Sequence, residues 1–134
     1  MNKESVLKAL LTYLSSISYH LDLPQELLSQ ITGSGFELKF FSLLVSRLRQ
    51  LSIQGIQATV LKEFEPLGEG LYSMHLAGKG FNIRILYGFM PNGQPALLHA
   101  FYEREGKKKT DYSSHIPVAK SRLDELRGEF SYEQ

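Results

Sequence analysis

The cationic residues of this chain cluster most densely at Arg104, Lys107, Lys108 and Lys109, and that cluster lies between Tyr102 and Tyr112. Lysine and arginine neutralise backbone phosphates, and neighbouring aromatic rings offer faces for unstacked bases, at roughly 1–3 kcal/mol per stacked base. On spacing alone the same residues also describe a solvated loop covered by tyrosines. Arg84 is the second candidate. It sits mid-way along a regular alternating stretch, on the face opposite Phe81, Ile83 and Ile85, where its planar fork suits a phosphate or a carboxylate on a neighbouring strand. If Tyr72, Met74 and Leu76 point inward, Ser73 and His75 share the open face with Arg84. His99 stands among Leu97, Leu98, Ala100 and Phe101, a setting that also fits a half-buried, satisfied histidine. His20 and His115 carry no signal separable from capping or surface chemistry.

The chain has no cysteine, which removes disulfides, thiolate metal sites and thiol nucleophiles together. Its four histidines have no short ligand spacing, so a metal site is not expected; no cofactor is expected either. The formal net charge of +1 gives no whole-molecule preference for an anionic partner. What remains accessible to arginine, lysine, histidine and tyrosine is cleavage of RNA by attack of a ribose 2′-hydroxyl on its adjacent phosphate. The protein then supplies a base, an acid, cationic stabilisation and stacking. DNA lacks the 2′-hydroxyl, so this chemistry selects RNA. The catalytic candidates are Arg84, His75, Lys108, Lys109 and His99. Arg104, Lys107, Tyr102 and Tyr112 are the candidates for holding RNA.

These side chains need a scaffold. Val6, Leu10, Leu14, Ile17 and Leu21 recur at helical steps over residues 5–21, and Pro24 opens a second short helix through Ile31 that Gly33-Ser34-Gly35 stops. Phe36, Phe40, Leu44, Leu48 and Leu51 predict a third helix ending at Gly55. Beyond Pro66, Gly68 and Gly70 the period changes to two. Residues 71–76, 81–90 and 95–104 read as strands of an antiparallel meander, joined at Ala77-Gly78-Lys79-Gly80 and Pro91-Asn92-Gly93-Gln94. Ser114 can cap a closing helix with Pro117 in its first turn and Ile116, Ala119, Leu123 and Leu126 as its buried stripe. At 134 residues and 43% apolar content one domain over 1–134 is expected. It is an α+β fold with a three- to four-stranded meander packed by N-terminal helices and a C-terminal helix, and residues 1–33 form a helical extension. At the N-terminus neither a secretory leader nor a membrane span is expected.

The succession Leu67-Gly68-Glu69-Gly70-Leu71-Tyr72, Asn82-Ile83-Arg84-Ile85-Leu86-Tyr87, Leu97-Leu98-His99-Ala100-Phe101, Lys108-Lys109-Thr110 and Ile116 through Leu126 resembles the HigB-like, phage-derived branch of the RelE/ParE toxins. The resemblance covers residues 36–127. It implies a RelE-like sheet flanked by helices, a ribosome-dependent endoribonuclease acting on messenger RNA in the cytoplasm, and a cognate antitoxin with a helix-turn-helix domain. Arg84 matches the central-strand arginine of that family, and the lysines after Phe101 match its basic stretch. The chain departs from the pattern in three places. His75 stands where an arginine is usual, Glu103 and Glu105-Gly106 displace the basic stretch, and residues 1–33 replace the expected N-terminal strand. Two alternatives share the fold: a gyrase-inhibiting toxin without catalysis, and an inactive phage-derived regulator.

Overall fold

The computed structural model describes Ser5, Lys8 and residues 19–20, 37–79, 81–103 and 110–133. Its centre is an antiparallel meander of β2 (Phe64–Gly68), β3 (Leu71–Gly78), β4 (Phe81–Phe89) and β5 (Pro95–Tyr102). A short strand β1 (Tyr19–His20) adds to β5 in parallel, giving the order β1-β5-β4-β3-β2. Helix α1 (Glu37–Gln54) precedes the meander and α2 (Ile116–Glu133) follows it, so the fold is α+β as the change of period predicts. Among the described residues no helix is long and apolar enough to cross a membrane.

The sheet has a core on each face. Phe40, Leu44, Leu48 and Leu51 of α1 pack on Met74, Leu76, Phe81, Ile83, Ile85 and Tyr87, all buried. The predicted stripe of α1 and the odd positions of β4 therefore meet as their periods require. The other face is covered over part of its length by Ala119, Leu123 and Leu126 of α2, which lie on Leu71, Leu86 and Leu98. Gly88 permits this approach, because a Cβ there would stand 3.0 Å from Leu123 Cδ2 and 3.1 Å from the Gly70 carbonyl oxygen. Arg122 Nη1 donates to the Leu98 carbonyl at 2.8 Å and ties the helix down. Asn82 and Arg84 continue this second face toward the other end of β4.

Two expectations are corrected. Tyr19 and His20 pair with Ala96 and Leu97 as strand, so the helix predicted over 5–21 does not reach its end, and the chain does have an N-terminal strand. Strand pairing is a tertiary contact that local helical periodicity does not register. The helix predicted over 24–31 lies outside the described residues. Strand β2 is the fourth strand of the expected three- to four-stranded meander, and its Pro66 is tolerated because β2 is the sheet edge. The turn from β2 to β3 takes positive φ at Gly68, Glu69 and Gly70 in succession. Finally, α2 begins one residue later than a Ser114 cap requires. The His115 carbonyl accepts the first helical N–H, from Ala119, and the Asp111 carboxylate accepts from Ser113 N at 3.0 Å to shape the preceding turn.

Candidate functional site

The β3–β4 register sets His75 directly opposite Arg84. Paired residues of an antiparallel ladder project to one side, so imidazole and guanidinium share the α2 face of the sheet. Glu103 joins them. Its backbone N–H donates to the Asn82 carbonyl at 2.8 Å, prolonging the β4–β5 ladder past Tyr102. Arg84 Nε donates to Glu103 Oε2 at 2.7 Å, and the Thr110 hydroxyl donates to the other carboxylate oxygen. The Arg84 and Glu103 side chains are only 17% and 11% exposed, which makes this a sheltered ion pair.

Asn82 orients the histidine. Its Nδ2 donates to the Glu103 carbonyl at 3.1 Å, which turns Oδ1 toward His75 Nε2 at 2.6 Å. An amide oxygen only accepts, so Nε2 carries a proton and the ring is a donor at that atom. The same Nε2 lies 3.8 Å from Glu103 Oε2. On the other flank, Arg84 Nη1 is 3.8 Å from Glu65 Oε2. The Tyr112 hydroxyl stands 2.9 Å from that carboxylate and 3.1 Å from Ser73 Oγ. Its one proton goes to Glu65, and its oxygen is left to accept from Ser73, which is fully buried.

Burial pushes the Glu103 carboxyl upward, yet hydrogen bonds from Thr110 and Arg84 and the charges of Arg84 and His75 outweigh it and hold the group below its ordinary value. Glu103 is therefore ionised at neutral pH. Burial raises the Tyr112 phenol, and the bond to Glu65 adds to this against the Ser73 hydrogen bond and the Arg84 charge, so Tyr112 stays protonated there.

A second group of rings adjoins the first. The β4–β5 register shifts between Leu86 and Tyr87, so that Leu86 pairs with His99 and Tyr87 with Leu97. This bulge brings both Leu98 and His99 to the α2 face, a placement that alternation along β5 cannot reveal. His99 Nε2 lies 2.9 Å from His115 Nδ1, and His115 stacks on Phe101 with centroids 3.7 Å apart and planes 4° from parallel. Phe101 is the residue opposite Arg84 and meets the Tyr112 ring edge-on at 6.1 Å, so the two groups are contiguous. Burial lowers the His115 pKa against the opposing charge of Asp111.

Of the residues singled out from sequence, Arg84, His75, Tyr112 and His99 thus come together on one face. Tyr102 pairs with Ile83 and so belongs to the opposite face, where it is exposed. Arg104, Lys107, Lys108 and Lys109 lie outside the described residues. Sequence reading missed Glu103, Asn82, Glu65 and Thr110 as partners of Arg84 and His75. Alternation did carry a signal for Glu103, since it is two residues beyond Phe101 and therefore on the Arg84 face. The chain matches no model of a known protein family, and no curated protein is significantly similar to it.

Proposed function

We propose that the chain is the toxin of a type II toxin–antitoxin system and cleaves messenger RNA by 2′-hydroxyl attack. The observation that carries this reading is the juxtaposition of His75, a proton donor at Nε2, with Arg84, a guanidinium fixed on the central strand. Those are the acid–base and phosphate-binding groups that metal-independent RNA cleavage needs, set on a rigid sheet. The half-buried His115 ring beside them, backed by its stack on Phe101, is suited to hold a base in place. The resemblance of residues 36–127 to HigB-like toxins supports the same reading. It adds the expected partners, a helix-turn-helix antitoxin and the translating ribosome, and a cytoplasmic setting. Lys107, Lys108 and Lys109 would supply further positive charge for the RNA backbone, with Arg104 alongside.

Inducible expression with mapping of transcript ends tests this. New 5′ ends in wild-type cells, lost with Arg84→Ala, are expected. Intact transcripts with unaffected growth would overturn the proposal.

One observation favours a second reading, a toxin that binds its target without cleaving it. Arg84 already faces the carboxylates of Glu103 and Glu65, so no positive charge is left over within this group. Growth arrest accompanied by DNA damage and intact messenger RNA would select that gyrase-inhibiting behaviour. An inactive phage-derived regulator would produce neither effect.

A further inference from the structure

We propose that Glu103 is the general base of the cleavage, released for that role when the scissile phosphate draws Arg84 away from it. The inference rests on the RNA-cleaving reading above and assigns a group that reading does not use.

The other groups around Arg84 are each unsuited to the task. Tyr112 keeps its proton at neutral pH and engages it in a hydrogen bond donated to Glu65. Ser73 is fully buried. Glu65 is about half exposed and reaches Arg84 only at 3.8 Å. His75 presents a proton at Nε2, which suits an acid. Glu103 is sheltered, ionised and oriented by Thr110, so it holds an oriented lone pair ready. It cannot be the acid, because an ionised carboxylate has no proton to give.

While paired with Arg84, that carboxylate is a weak base. A guanidinium forms bidentate bonds to phosphate as readily as to carboxylate, and a phosphate entering the site competes for it. As the guanidinium turns to the substrate, Glu103 loses a hydrogen bond and a neighbouring positive charge, and its proton affinity rises. Thr110 keeps it in place. The present 3.8 Å between His75 Nε2 and Glu103 Oε2 widens as the phosphate enters between them.

The step balances without any co-reactant. Glu103 takes the 2′-hydroxyl proton, and the 2′-oxygen forms its bond to phosphorus as the bond to the 5′-oxygen breaks. The leaving 5′-oxygen takes the Nε2 proton of His75 in its doubly protonated form. The products are a 2′,3′-cyclic phosphate and a 5′-hydroxyl.

The test uses messenger RNA on purified ribosomes, with a second RNA carrying a 2′-deoxy nucleotide at the cleaved position for binding. Glu103→Gln should cut at least roughly a hundredfold more slowly than wild type. It should bind the 2′-deoxy RNA at least as tightly, because Arg84 is freed. Glu103→Asp, which keeps the carboxylate, should recover part of the rate. A 5′-bridging phosphorothioate, whose sulfur leaves without a proton, should rescue His75→Ala and leave Glu103→Gln slow. Cleavage by Glu103→Gln within a fewfold of wild type overturns the proposal. So does rescue of Glu103→Gln by the phosphorothioate, or a loss of binding that parallels the loss of cleavage. If wild-type protein leaves the RNA intact, the RNA-cleaving reading falls as well, an outcome distinct from wild type and Glu103→Gln both cutting.

Discussion

Arg84 Nε donates to Glu103 Oε2 across 2.7 Å, from the middle of the central strand to the residue just past the end of its neighbour. Both side chains are mostly sheltered, so each is the other's principal compensation for lost hydration. Arg84→Ala should destabilise the fold by roughly 1–3 kcal/mol, because Glu103 is left with less than it needs. The double variant Arg84→Ala/Glu103→Ala should cost less than the sum of the single changes. Denaturant unfolding of the four proteins measures the coupling, and strict additivity would show that the pair contributes nothing.

The same pair gives stability an acid limb. Glu103 has its folded pKa below the ordinary 4.5, so the unfolded chain binds the proton first as pH falls. Its stabilising contribution is complete above 4.5 and is lost as pH drops through the folded value. Thermal melts across that range should show a smaller acid-induced loss for Glu103→Gln than for wild type.

His115 shares this preference for the deprotonated form in the folded state. Burial against Phe101 lowers its pKa below 6.5, with Asp111 opposing, and His99 lies 2.9 Å away on its Nδ1 side. The unfolded chain therefore takes up this proton first, and stability should fall as pH drops from 6.5 toward the folded value. A proton NMR titration should place the His115 midpoint below 6.5; a midpoint above it would contradict the stacked geometry.

The close seat of α2 on the sheet depends on Gly88. Gly88→Ala places a methyl 3.0 Å from Leu123 and 3.1 Å from the Gly70 carbonyl, and should cost about 1–3 kcal/mol by overpacking. Leu123→Ala introduced into that variant should be milder than in wild type, since it removes half of the clash. Melting temperatures of the single and double variants decide it.

Much of the fold was legible in the residues themselves. Phe40, Leu44, Leu48 and Leu51 at helical steps, and Phe81, Ile83, Ile85 and Tyr87 at steps of two, specify a helix and a strand and which face of each is buried, because backbone geometry alone sets those periods. The sharing of one face by His75, Ser73 and Arg84 followed from the same alternation. Pairings between distant segments were not legible. The bridge from Tyr19 and His20 to β5, the edge strand β2 with its proline, and the bulge that turns His99 toward His115 depend on which strands lie side by side, and local sequence does not encode that. The same holds for Arg84. Its type and position marked it as a cation fixed on a sheet, but only the packing of β2, β5 and the chain after β5 supplied the carboxylates that neutralise it, because electrostatic partners are chosen by proximity in space.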